Sequence, residues 1–194
     1  AAEAEAAAAE AELAALDGEP PALLVCCCSN GLHAVDEEGE SLSAILPSCI
    51  LLKDVSAQKV ADVMRANADG LPWFHFAGHA DPHLGSHRAL IWHKDGALDV
   101  IDASTIVELL RISCKLVVLN GCKSASLGEK LAAAGVPNVV CWDTLLLDAP
   151  GKLFAVALWE VVAKLALKPS LISTSIVRQA FETASASVLS VTTA

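Results

Sequence analysis

The sequence predicts an α/β fold in three layers, a mostly parallel central sheet with helices on both faces. Three observations predict it. Runs of strand length such as "ALLVCCC", "WFHFAG" and "KLVVLNG" are mostly apolar rather than alternating, as strands buried on both faces are. Segments of helical period separate these runs, the alternation expected of a parallel sheet covered by helices. A chain of 194 residues with 54% hydrophobic content is also long and apolar enough for one domain with a well-filled core.

Each element follows in order. Residues 1–16, "AAEAEAAAAEAELAAL", have high helix propensity and little to bury beyond Leu13 and Leu16. Residues 1–21 therefore read as a solvated helix or flexible linker, ended by "DGEPP", with the folded domain expected over 22–194. "ALLVCCC" is the first strand, "GLHAVDEEGESLSAIL" a helix despite Gly39, and "CILLKDV" a second, shorter strand. "SAQKVADVMRANA" sets Val60, Val63 and Met64 at helical spacing behind a Ser56 cap. "WFHFAG" is the third strand, and "RALIWHKDGALDVID" reads as a hairpin around Asp95 and Gly96. "STIVELLRI" is a helix and "KLVVLNG" the fourth core strand. "SLGEKLAAAG", "NVVCW" and "LFAVALWEVVAKLAL" continue the alternation, and "SLISTSIVRQAFETA" closes it with a last helix.

Composition excludes several function classes. A formal net charge of -10 argues against a nucleic-acid partner and against an anionic membrane surface, since both are held largely by Lys and Arg. The most apolar long segment, 153–167, is too short to span a bilayer and is interrupted by Glu160 and Lys164. No secretory signal is visible, and Met64 is the only methionine, so the chain reads as an excised domain or processed fragment. Seven cysteines, with Cys26, Cys27 and Cys28 consecutive in an apolar run, do not form a disulfide framework. A reducing compartment, cytosol or nucleus, is expected.

Two motifs invite readings that their details reject. His75, His79, His83 and His87 recur every fourth position, as on one face of a metal-binding helix. Gly78, Pro82 and Gly85 interrupt that helix, so no metal site is expected. "LVVLNGCKSA" loosely resembles a phosphate-binding loop, but Cys122 stands where Gly must precede Lys, and Leu116 where the first Gly should be. With no GxGxxG or GxSxG either, no cofactor is expected.

What remains is a relation between two strand ends. "FAGHA" and "LNGCKS" place His79 and Cys122 just past the carboxyl ends of two predicted parallel strands, the edge where α/β sheets collect ligands and chemistry. If the strands are neighbours, an imidazole and a thiol meet there. The thiolate attacks, and the histidine takes its proton and later protonates the leaving amine. The backbone N–H groups of Ala80 and Cys122 are the natural oxyanion donors, with Gly78 and Gly121 allowing close approach. The plainer alternative is a buried cysteine and a hydrogen-bonded turn histidine.

"WFHFAGHAD", "KLVVLNGCKSA" and "LAAAGVPNVVCWDTLLLDAPGKLFAVALWEVVAKLA", in this order, make the chain resemble a CHAT domain, a caspase-like domain often found beside tetratricopeptide repeats, and more distantly the separase protease domain. The resemblance spans about Ala22 to Ala184. It implies a caspase-haemoglobinase-like fold with His79 as general base, Cys122 as nucleophile, and Ala80 and Cys122 as oxyanion donors. It also implies an acidic first specificity pocket, with Asp143 or Asp148 selecting a basic residue before the scissile bond. Asn120 stands two residues before the cysteine, where some relatives carry Asp. The expected function is a cysteine endopeptidase acting on a protein or peptide substrate. No tetratricopeptide pattern is present, so a regulatory domain or partner is expected outside this chain. The alternatives are a catalytically silent CHAT scaffold for protein interactions and, third, a small-ligand domain using the same cleft.

Overall fold

The structure, a computed structural model, describes residues 22–29, 31–67, 71–81, 89–94, 97–166 and 172–192. The predicted segment 1–21, His83, His87 and the hairpin turn at Asp95 and Gly96 lie outside these residues. The elements in chain order are β1 (Leu23–Cys28), α1 (His33–Ile45), β2 (Ile50–Lys53), α2 (Ala57–Ala66), β3 (Trp73–Gly78), β4 (Ala80–Asp81) and β5 (Ala89–Lys94). They continue with β6 (Ala97–Val100), α3 (Ala103–Leu110), β7 (Leu116–Asn120), α4 (Ala125–Ala133), β8 (Asn138–Val140), α5 (Asp148–Leu165) and α6 (Thr174–Thr192).

The central sheet has five strands in the order β2-β1-β3-β7-β8, all paired in parallel. Its three middle strands are buried along their whole length, which is why they read as mostly apolar runs. Alternate residues serve opposite faces. Leu24, Cys26, Cys28, Phe74, Phe76, Val117 and Leu119 pack with residues of α2, α3 and α4. Leu23, Val25, Cys27, Trp73, Ala77, Leu116 and Val118 pack with residues of α1, α5 and α6. The result is the expected three-layer α/β architecture, that of a caspase-like fold.

Local chemistry explains several boundaries. Ser56 Oγ accepts from Lys59 N–H at 3.2 Å and Asp102 Oδ1 from Ser104 N–H at 2.8 Å, so α2 and α3 start on side-chain caps. Helix α1 begins after Leu32, which cannot cap; Asp148, more than a hundred residues away in sequence, accepts from Ala34 N–H at 3.0 Å instead. Gly39 is tolerated inside α1 because the helix lies close on the sheet. A Cβ there would come within 2.7 Å of Cys27 Sγ and 2.9 Å of Leu51 Cδ1.

Two elements differ from expectation. The predicted two-stranded hairpin is the major part of a three-stranded antiparallel sheet, β4-β5-β6, because Ala80 and Asp81 resume as a strand after His79. A two-residue strand carries no periodicity to read. The last helix also runs past Ala184 to Thr192, through Ser and Thr residues of modest helix propensity, and Val188 packs this extension against the core.

Candidate active site

The β3–β7 pairing fixes the site. Ala77 is registered with Asn120, so His79 and Cys122, each two residues farther on, leave adjacent strands at the same level. Both line one cleft of about 100 Å3, whose wall also includes Glu38, Asn120, Leu146 and Asp148. The backbones converge tightly beneath them. A Cβ on Gly121 would lie 2.8 Å from Gly78 O and 3.5 Å from Ala80 N, so only glycine fits there. Gly78 itself has φ +154°, and a side chain on it would meet Cys28 O at 2.7 Å.

Of the two N–H groups expected from sequence as oxyanion donors, the pairing fixes the direction of that of Ala80. Ile91 N–H donates to His79 O at 3.0 Å, which makes Ala80 and Leu90 a non-hydrogen-bonded antiparallel pair. The N–H of a residue in such a pair points away from its partner strand, here away from β5 and toward the Gly121 side. Directly after Cys122, Lys123 takes φ +51°, a left-handed turn held by its N–H to Thr144 O at 3.0 Å.

The segment after β8 closes over the cysteine. The Cys122 thiol donates to Leu146 O at 3.3 Å, and Leu146 N–H approaches the sulfur at 3.2 Å. Leu146 therefore holds the Cys122 sulfur from both backbone groups, while Leu145 and Leu147 on either side stand largely exposed. Leu146 packs beside Gly151, where a Cβ would meet its side chain at 3.0 Å.

Below the cleft lies a buried polar network that the sequence reading did not find. Glu38 Oε1 lies 2.6 Å from His75 Nε2, and Asn120 Nδ2 donates to both Glu38 oxygens at 2.9 Å. Asn120 Nδ2 also donates to Gly151 O at 3.0 Å, and its Oδ1 accepts from Trp142 Nε1 at 3.0 Å. Trp159 Nε1 donates to His75 Nδ1 at 3.0 Å. An indole nitrogen can only donate, so Nδ1 accepts and the His75 proton sits on Nε2, directed at Glu38. Thus His75 is fixed in the core, and of the two described histidines of the four-residue series only His79 faces the cleft.

The signal for Glu38 was present. Val35, Glu38, Gly39 and Leu42 form the buried stripe of α1 at helical spacing, so Glu38 falls on the inward face. Its neighbours in "DEEGE" face out: Glu37 pairs with Lys152 at 2.5 Å and Glu40 with Lys53 at 2.9 Å.

The structure separates the three residues expected to bind substrate. Asp148 lines the cleft and caps α1. Asp143 is exposed and is not among the residues lining the cleft; with Glu129 it adds to the burial that raises the Cys141 thiol above its usual range. Asn120 is buried, its amide engaged by Glu38, Gly151 and Trp142. None of the seven cysteines is in a disulfide. Burial pushes Cys114 up to about 12 and Cys26 well above its ordinary value. Cys27 is raised by burial first and then by the Glu38 charge.

A CHAT-domain family model matches residues 4–184. The chain belongs to the CHAT domain family. That family is of the caspase-like cysteine-peptidase kind, in keeping with the five-stranded sheet flanked by helices. No curated protein matches the chain. Among the described residues of this CHAT domain no helix is long and apolar enough to cross a membrane.

Proposed function

We propose that this CHAT domain is a cysteine endopeptidase with His79 and Cys122 as its dyad. The observation that carries the reading is the equal level of the two residues on adjacent parallel strands, lining one cleft. His79 removes the Sγ proton and the thiolate adds to the scissile carbonyl carbon. The oxyanion is met by the N–H groups of Ala80 and Cys122. Collapse breaks the C–N bond as His79 returns its proton to the leaving amine, and water then hydrolyses the thioester with His79 again as base.

The contact with Leu146 sets a condition on the first step. The thiol proton is directed at Leu146 O, so the segment around Leu146 must yield before His79 can take that proton. A regulatory partner beyond this chain is part of the proposal, as is a reducing compartment, cytosol or nucleus, which keeps the nucleophile a free thiol. The same contact favours the second reading, a silent scaffold in which Leu146 holds the cysteine permanently.

Incubation with a mixture of unstructured peptides, read by mass spectrometry, tests the proposal. Discrete internal cuts that vanish in Cys122→Ser are expected. Cuts that persist in Cys122→Ser contradict it.

A further inference from the structure

Trp142, just past β8, meets the Cys122 turn at three atoms. Its indole Nε1–H donates to Asn120 Oδ1 at 3.0 Å, its main-chain N–H donates to Ser124 Oγ at 3.1 Å, and its carbonyl oxygen accepts from Ala125 N–H at 2.9 Å. Asn120 and Ser124 stand two residues before and two residues after Cys122, so one residue grips both flanks of the turn that carries the thiol. Ser124 also braces the turn across its base. Its Oγ donates to Leu119 O at 3.0 Å while accepting from Trp142, which uses the hydroxyl in both of its roles. Asn120 and Ser124 are 5% and 2% exposed, so an atom deprived of its partner there would stay unpaired.

The chain beyond Trp142 continues the same pairing. Lys123 N–H donates to Thr144 O, and Leu146 meets the Cys122 sulfur with its own N–H and carbonyl. The main chain at residues 142, 144 and 146 thus meets residues 125 and 124, then 123, then 122, an antiparallel course along the turn. Only its Trp142 end is locked by side chains. There the indole also packs edge-on against Phe154 at 4.9 Å, whereas Leu146 lies between the exposed Leu145 and Leu147.

We infer that Asn120, Ser124 and Trp142 are positioning residues, a clamp that fixes the Cys122 turn and so aims the sulfur at the reacting carbonyl. Asn120, expected from sequence to bind substrate, acts here through Cys122 instead. Because the clamp holds the turn independently of Leu146, the thiol keeps its place when the Leu146 segment yields. The inference rests on the peptidase reading for the role of Cys122.

Inactivation by a peptidyl acyloxymethyl ketone, resolved into a binding constant and a maximal rate, tests this on two variants. Trp142→Phe keeps a ring against Phe154 and loses the indole N–H; Ser124→Ala loses only the hydroxyl. Each is expected to lower the maximal rate about fivefold or more with the binding constant within about twofold, since a displaced nucleophile slows the chemical step and leaves reagent binding alone. The double variant should fall little below the slower single one, because both substitutions loosen one clamp. A merely structural role would lower the urea midpoint and leave the maximal rate of the folded protein unchanged; that result, or a loss confined to the binding constant, overturns the inference. Should one variant fail to fold, the other decides. Fast labelling of wild-type Cys122 that neither variant slows removes the inference alone, whereas wild-type labelling no faster than at Cys49 or Cys141 removes the peptidase reading and the inference with it.

Discussion

Replacing His79 by Ala is expected to lower kcat/KM for peptide hydrolysis by about a thousandfold or more, roughly 4 kcal/mol of lost transition-state stabilisation. The thiol then has no acceptor for its proton and the leaving amine no donor. Stability should change little, because His79 sits partly exposed beyond the end of β3 and outside both core clusters. The urea midpoint read beside the kinetics separates a chemical loss from a folding one. Activity within tenfold of wild type, at an unchanged midpoint, would remove His79 from the mechanism.

The second large effect concerns pH. Cys26, Cys27 and Cys114 are buried thiols whose folded pKa values lie above the ordinary value of 9.0, with Cys114 at about 12. In the unfolded chain they ionise from about pH 9, while in the folded chain they stay protonated. The folded state therefore binds more protons, and stability is full below pH 9 and falls as pH rises toward 12. Each thiol loses about 1.4 kcal/mol per pH unit in that window, so three together cost about 4 kcal/mol between pH 8 and 10. That is a large part of a typical domain's stability. Urea melts at the two pH values should show it, and Cys114→Val should reduce the difference by about a third. Equal midpoints at pH 8 and 10 would mean that these thiols are not held neutral.

The contrast between what was readable and what was not follows from the physics of each residue. Strands β1, β3 and β7 were legible because burial on both faces leaves few polar positions in the run, only His75 and Asn120. His79 and Cys122 were legible because chemistry at a parallel sheet gathers where strands end, and Gly-His and Gly-Cys mark two such ends. Glu38 was masked by "DEEGE", in which four acidic residues look alike until the helix face is assigned. Asn120 was noticed for its position but not for its use, since an amide's partners come from α1, α5 and the Trp142 segment, all remote in sequence. The hold of Leu146 on the thiol was unreadable because it is made by backbone groups, which any residue provides.

The central claim is that Cys122 is a nucleophile activated by His79. Timed labelling of the native protein with a peptidyl acyloxymethyl ketone, followed by peptide mapping, tests it most directly. The account predicts one adduct per chain, on Cys122, formed at least tenfold faster than on Cys49 or Cys141 and slowed at least tenfold by His79→Ala. Labelling of Cys122 no faster than those two cysteines, at a rate indifferent to His79, would contradict it.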